Sequence, residues 1–171
     1  MESALISIVS VALVIIASVT MMMNSFSSIN SMMDSWMNME KQAEAIRNTD
    51  IEIVPPATYT GGTIDLFIEN DGNVNIDSFD QWDIIARLQT GDIRYIDYTS
   101  NSTPGSNQWS TDGIYLSDNT SVPEIFDPNI LNPGEALKVH INLDPEITPG
   151  EYAQLVASTA NGVKAQCFIS R

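Results

Sequence analysis

Few residues in this chain combine types and spacings that could support catalysis. His140 is the only histidine, and strand alternation places it opposite the apolar Leu137 and Val139, on a face expected to meet solvent. No nucleophile-elbow pattern accompanies this imidazole. Cys167 is the only cysteine, and alternation places it inward, where we expect a small core residue. The sequence therefore predicts neither an enzyme nor a bound cofactor.

Oxygen-bearing side chains alternate along one short segment. The pattern is similar to the start of a calcium-binding loop, and its members are Asp71, Asn73, Asn75 and Asp77. The segment lacks the glycine at the sixth position and the closing glutamate that such a loop requires. We therefore favour an ordinary loop between strands and keep these four residues only as weak metal candidates.

Two tripeptides match the acceptor pattern for N-glycosylation. They begin at Asn101 and at Asn119, and both fall in segments that we predict to be surface loops. Such tripeptides also occur by chance. Glycosylation at these two asparagines is therefore a hypothesis that depends on their exposure.

The charge of the chain is strongly negative and unevenly distributed. Seven Lys and Arg stand against 22 Asp and Glu, which gives a formal net charge of −15. Such a surface repels phosphate backbones, so we expect no nucleic-acid binding. No charged residue occurs from Ser3 to Met33, so the negative charge belongs to the rest of the chain.

The uncharged segment has the composition of a membrane-inserting helix. Its centre, residues 4–23, carries hydroxyls as its only polar side chains and is long enough to span a bilayer core of about 30 Å. Those hydroxyls can bond to the preceding helical turn. The run is too long for a secretory signal, and no basic region precedes it. It is apolar on every face, which does not suit a core helix of a soluble domain. We therefore predict insertion, with a plain membrane anchor as the alternative to a filament core.

The helical pattern continues beyond the membrane-length segment. Residues 24–48 contain no Gly or Pro, and apolar residues recur at spacings of three and four, so we predict one helix ending near Arg47. Methionine is common in this stripe and adapts to repeated helix contacts. The side chains that we expect to line a membrane or filament core are Leu5, Ile6, Val9, Leu13, Ile16, Met23, Phe26, Met33 and Trp36.

After Thr49 the period changes from helical to alternating, which is typical of strands. We predict strands over residues 51–54, 63–69, 82–89, 93–99, 136–143, 152–160 and 163–170, with a polar loop over 100–113. The fold class expected is α+β: a long N-terminal hydrophobic α-helix (residues 1–48) followed by an immunoglobulin-like antiparallel β-sandwich head (residues 49–171). Candidates for contacts between heads are the outward-facing side chains of Phe67, Ile85 and Phe168.

The whole layout resembles the archaellin (archaeal flagellin) and type IV pilin-like filament subunits. The resemblance rests on the uncharged N-terminal helix rich in Ile, Val, Ala and Ser, and on the segment LNPGEALKVHINLDPEITPGEYAQLVASTANGVKAQCFIS. Bacterial type IV pilins carry Glu at mature position five, whereas this chain has Leu5 there and Glu2 nearby. In the family a short basic leader is removed; none precedes Met1 here, so either it was removed or Met1 is the true start.

The resemblance implies a structural subunit of an extracellular, archaellum-like helical filament used for motility. Self-association, an archaellum-type assembly platform and residence in the cytoplasmic membrane before assembly are implied with it. Two alternatives stay open. The chain could be a membrane-anchored archaellum accessory protein that binds the surface layer, or an adhesive pilin.

Overall fold

One uninterrupted helix, α1 (Glu2–Asn48), forms the N-terminal part of the chain. The computed structural model describes residues 2–55, 59 and 62–171. The helix ends within one residue of the predicted position. Hydroxyls along it donate to the carbonyl four residues earlier, as expected. For example, Ser18 Oγ donates to the Val14 oxygen (2.8 Å) and Thr20 Oγ1 donates to the Ile16 oxygen (2.8 Å). No hydroxyl in these pairs needs water as a partner.

Nine strands follow the helix in the described part of the chain. They are β1 (Ile51–Val54), β2 (Thr63–Asn70), β3 (Asp83–Leu88), β4 (Ile93–Tyr98), β5 (Gln108–Leu116), β6 (Asn119–Pro123), β7 (Glu135–Asn142), β8 (Tyr152–Ser158) and β9 (Lys164–Ser170). A short 3-10 helix, Phe79–Gln81, precedes β3. The strands are hydrogen-bonded in the order β1-β2-β7-β5-β4-β3-β8-β9, and β6 pairs with the C-terminal end of β5. The first layer contains β1, β2, β5, β6 and β7, and the second contains β3, β4, β8 and β9. Because β1 also packs against β9, the two layers form a sandwich that is nearly a closed barrel. The predicted fold class is confirmed.

The core lies between the two layers and follows the predicted alternation. On β2, Ile64, Leu66 and Ile68 are at most 1% exposed. The inward residues of β3 and β7 are buried in the same way, and those of β9 are buried at Cys167 and Ile169. This burial sets the register of each strand, because a slip of one residue would turn its apolar side chains to solvent.

The prediction of a polar loop over residues 100–113 is wrong at its C-terminal end. β5 begins at Gln108, and Trp109 is fully buried against Tyr98, with ring centroids 4.9 Å apart. A bulge between Thr111 and Gly113 shifts the register of β5 against β7. Since a bulge interrupts the alternation of apolar residues, the strand pattern was hidden. β6 was missed as well, and β4 pairs with β5 in parallel, unlike the other strands.

The compact unit that contains the strands begins before the first of them. The described chain divides into two units between Ala43 and Glu44, one turn earlier than the 48/49 boundary expected from sequence. The reason is that loops of the head bind the last turn of α1. Asn73 N donates to the Asn48 oxygen (2.8 Å), and Asn161 Nδ2 donates to Thr49 Oγ1 (2.8 Å).

Gly72 makes the approach of one of these loops possible. A Cβ at this position would lie 2.5 Å from the Asn48 oxygen and 2.6 Å from the Asp50 nitrogen. No side chain fits there, because real Cβ atoms do not come so close to backbone atoms. The residues 44–50 therefore belong structurally to the head.

Asn70 organises the loop that reaches the helix end. Its side chain is fully buried, Nδ2 donates to the Val74 and Leu131 oxygens (2.8 and 2.9 Å), and Oδ1 accepts from Gly72 N (3.0 Å). The Leu131 oxygen also accepts from Ile76 N, and Gly72 N also donates to the Asp50 oxygen, so the amide adds to bonds that these two groups already make. The Asn70 amide therefore hydrogen-bonds to backbone groups of the loop and ties the loop to the segment before β7.

We predict that Asn70→Ala lowers the free energy of unfolding by about 1–3 kcal/mol, because the three hydrogen bonds of a buried amide are lost. Asn73→Ala is the matched control. The Asn73 side chain is exposed, and its backbone contact with Asn48 is kept, so the change should be within about 0.5 kcal/mol. Denaturant unfolding of the detergent-solubilised chain, followed by near-ultraviolet circular dichroism, measures both. Equal effects of the two substitutions would contradict this role of Asn70.

Candidate assembly surfaces

The side chains of α1 that we expect in a filament or membrane core are exposed in the isolated chain. Leu13 and Ile16 are each 62% exposed and Trp36 is 67% exposed. The same holds for Ile6, Val9, Met23, Phe26 and Met33, each at least half exposed, whereas the side chain of Leu5 lies outside the described part. Within the described residues, α1 is the one helix long and apolar enough to cross a membrane. This surface needs an apolar environment.

The methionine-rich part of α1 offers a shape as well as apolar area. Ile29, Met32, Met33 and Trp36 line a shallow hollow of about 190 Å³ on one side of the helix. Residues at spacings of three and four lie on one helix face, so these side chains form a continuous strip. A neighbouring helix could place a side chain in this hollow.

The three predicted head-contact residues do not form one patch. Phe67 is half-buried on the outer face of β2, where its ring packs edge-on against Tyr115 at 5.9 Å. Ile85 and Phe168 lie together on the outer face of the other layer, Ile85 half-buried and Phe168 60% exposed. Phe168 pairs with Tyr152 at 5.9 Å. The head therefore has two chemically different faces.

Several exposed apolar side chains of the head were missed from the sequence. Ile93, Tyr95 and Tyr152 lie on the same outer face as Phe168, and Ile125 and Phe126 lie in the loop after β6. Strand alternation could have indicated the first three. The Ile125-Phe126 pair lies in the six-residue segment from Pro123 to Pro128, where no alternation exists to interpret.

The outer face of the first layer carries charge. His140 is not an isolated solvated residue as predicted: it is half-buried, Nδ1 contacts the Asp65 carboxylate, and Nε2 lies 3.7 Å from Asp112. Lys138 donates to Asp112 at 2.6 Å, which holds the pKa of Asp112 below its ordinary value and raises the pKa of Lys138. Cross-strand pairing of β2, β7 and β5 brings these residues together. Sequence alone could not have matched partners on three strands.

The four weak metal candidates lie in the loop that Asn70 holds. Asp71, Asn73, Asn75 and Asp77 are exposed, and the Asp77 carboxylate accepts a hydrogen bond from Ser78 Oγ at 2.9 Å. No group of three or more His, Cys, Asp or Glu is placed to hold a metal ion within the described residues. The bonds of Asn70 and the helix end account for the shape of the loop.

The two glycosylation candidates have different surroundings. Asn101 is exposed in the bend between β4 and β5, as predicted. Asn119 is not in a loop, because it is the first residue of β6, directly after a turn; its side chain lies outside the described part. Cys167 is 8% exposed, and burial raises its thiol pKa from 9.0 to about 11.

Comparison with known proteins identifies the family of this chain. The sequence profile described as archaeal-type flagellin matches residues 3–167. The chain belongs to the archaeal-type flagellin family. Members are structural filament proteins, and this flagellin is a structural subunit of an archaellum filament, which acts in motility. No curated protein matches the sequence.

Solved structures show the same fold at low identity. The archaeal flagellum of Methanospirillum hungatei strain JF1 matches this flagellin with a TM-score of 0.54 and 14% identity, over 96% of this chain and 90% of the other. The archaellum periplasmic stator protein FlaG from Sulfolobus acidocaldarius gives 0.53 and 19%, over 71% and 99%. Flagellin FlaB1 from Methanocaldococcus jannaschii gives 0.50 and 9%, over 70% and 88%.

We predict that the Cys167 thiol of the native flagellin resists alkylation. With a pKa of about 11, only roughly one thiol in a thousand is ionised at about pH 8, and the thiolate is the reactive form. Iodoacetamide labelling followed by mass spectrometry should show less than about a tenth of the rate seen after denaturation. Equal rates before and after denaturation would contradict the burial of Cys167.

Proposed function

We propose that α1 first holds this flagellin in the cytoplasmic membrane and then packs into the core of an extracellular filament, with residues 49–171 as the head. The observation that carries the proposal is that the N-terminal part of α1 has apolar side chains on every side. Side chains on nearly opposite sides of it, such as Val14 and Ile16, are 65% and 62% exposed. A helix that is apolar all round is stable in a bilayer or among other helices, and not in water.

Transfer between these two environments costs little. Both the bilayer and a helix bundle are apolar, so neither step exposes the side chains of α1 to water. Packing then decides the equilibrium. Small residues such as Ala12, Ala17 and Ser18 permit close approach of helices, and the strip at Met32, Met33 and Trp36 offers the adaptable contacts that methionine makes.

The remaining expectations follow from this role. Heads repeat along the filament, and contacts among them involve their exposed faces, including Phe168 and the half-buried Ile85 and Phe67. An archaellum-type assembly platform is the partner before assembly. The acidic surface, with a net charge of −15, does not suit nucleic acid, and the role requires no catalysis or cofactor.

We predict that Leu13→Asp abolishes filaments. A carboxylate at the centre of an inserted helix costs about 2.5–3.5 kcal/mol, and it would be repeated at every subunit in the core. Gln42→Asp is the matched control: it introduces the same group in the same helix, but within the charged segment after residue 33, where filaments should persist. Electron microscopy of cells and the membrane fraction of the chain measure both effects.

Normal filaments from the Leu13→Asp chain would contradict a core position for this helix. Loss of filaments with both substitutions would show only that α1 tolerates no added charge. Burial of residues 6–33 in a core would then not explain the effect of Leu13→Asp.

A membrane-anchored accessory role is the second candidate, because the head shares its fold with FlaG over 99% of that chain. In that role α1 would stay in the bilayer and the head would bind the surface layer. Shearing separates the two roles: a filament subunit dominates the sheared material, whereas an anchor remains with the membranes. An adhesive pilin would form filaments too, but cells lacking it would swim normally.

We predict a glycan at Asn101 in the native filament. Its side chain is exposed in a bend, and Thr103 completes the acceptor pattern. Mass spectrometry of chymotryptic peptides from native material, which separate Asn101 from Asn119, should show added mass on the Asn101 peptide that Asn101→Gln removes. Asn119 serves as the comparison, since its place in β6 makes it the poorer acceptor. The bare peptide mass at Asn101 would remove the hypothesis.

A further inference from the structure

The loop after β6 and the outer face of β3, β8 and β9 have complementary shape and charge. We infer that the loop of residues 124–127, here called the knob, inserts Phe126 into a hollow on the neighbouring head, here called the socket. The socket is lined by the side chains of Arg87, Gln89, Tyr152, Gln154 and Phe168. The inference rests on the proposed filament and names one contact between its heads.

The knob presents an apolar tip on an ordered backbone. Phe126 is 90% exposed, the highest value of any large apolar side chain in the described chain, and Ile125 is 78% exposed. The Glu124 carboxylate accepts hydrogen bonds from Phe126 N and Asp127 N, both at 2.8 Å, and Glu124 N donates to the Ile114 oxygen at 2.8 Å. The tip is therefore held out by specific bonds, which lowers the entropic cost of docking it.

The socket has a matching size and composition. It is a hollow of about 180 Å³ beside the Tyr152–Phe168 ring pair. Arg87 stands at its edge and makes no ion pair with any side chain that the structure describes. An aromatic side chain suits the ring pair, and an acid beside it suits the guanidinium. Phe126 followed by Asp127 supplies both groups.

The occupant is a second copy of the chain and not the same head. Phe126 at 90% exposure fills nothing within its own head, and Tyr152 and Phe168 of the socket stay 47% and 60% exposed. The knob follows β6, which pairs with β5, whereas the socket lies on β3, β8 and β9. A contact between two different surfaces is heterologous, and such a contact gives an open helical polymer when the rotation between copies does not close into a ring.

Disulfide trapping tests the contact in assembled filaments. A chain with both Phe126→Cys and Gln154→Cys, oxidised mildly with copper phenanthroline, should give a ladder of cross-linked subunits on a denaturing gel. Cys167 does not compete, because it is buried and its thiol pKa is raised. Each single variant should give monomers, since knobs would not meet knobs. Detergent-solubilised double variant should also give monomers, because the contact exists only in the filament.

A matched pair locates the contact on the face. Phe126→Cys combined with Asp97→Cys places the second thiol on exposed β4, in the same layer but outside the socket, and should give no ladder. Filaments of the first pair without a ladder, or an equal ladder from the Asp97 pair, would overturn this contact and leave the proposed filament intact. Absence of filaments from the unsubstituted chain would instead overturn the proposed function.

A charge exchange gives an independent test that does not alter Phe126. Arg87→Glu and Asp127→Lys should each raise the fraction of subunits released from sheared filaments at low salt several-fold, and the two changes together should restore retention. The backbone bonds of the knob are kept in Asp127→Lys. If the combined variant releases as many subunits as the worse single variant, Arg87 does not meet Asp127 and the docking arrangement is wrong.

Discussion

The need to keep one helix out of water governs this molecule. Between Ser3 and Met33 the helix has no charge, and the hydroxyls of Ser10, Ser18 and Thr20 are bonded to its own backbone, so this part of the chain has few groups that can bind water. The head does the reverse: it carries the acidic surface and buries the inward apolar side chains of its strands in a core between two layers. The two parts therefore require different environments, and in the proposed role the helix moves between two apolar environments while the head stays in water.

The junction between these parts is made by the head and not by the helix. The buried amide of Asn70 bonds to Gly72, and the missing Cβ of Gly72 lets its loop approach residue 48. The side-chain amide of Asn161 bonds to residue 49. The last helical turn therefore belongs to the compact β unit. Any change in those loops acts on the attachment of the helix as well as on the stability of the head. The same loop looks like a calcium site in sequence, because turn-forming residues and calcium ligands are drawn from the same side chains.

Sequence reasoning succeeded where a single period ran without interruption. The helix from Glu2 to Asn48 and the strands around Ile64, Ile84 and Val139 were predicted because burial imposes a period of 3.6 or 2 on the apolar residues. It failed at Trp109, where the bulge near Gly113 breaks the alternation, and at His140, whose partners come from strands far away in sequence. The surface residues Ile125 and Phe126 were missed for a third reason: exposed side chains in a loop obey no period at all.

The strand order also dictates the timing of biosynthesis. β3 bonds to β8, and β1 packs against β9, so early strands of the head wait for the last ones before their pairing is complete. The apolar helix has no such dependence, because all its backbone bonds are local. During synthesis the helix can therefore enter the bilayer while the head is still an unfolded chain. In the proposed role, the subunit would enter the membrane before it has a folded head to contribute to a filament.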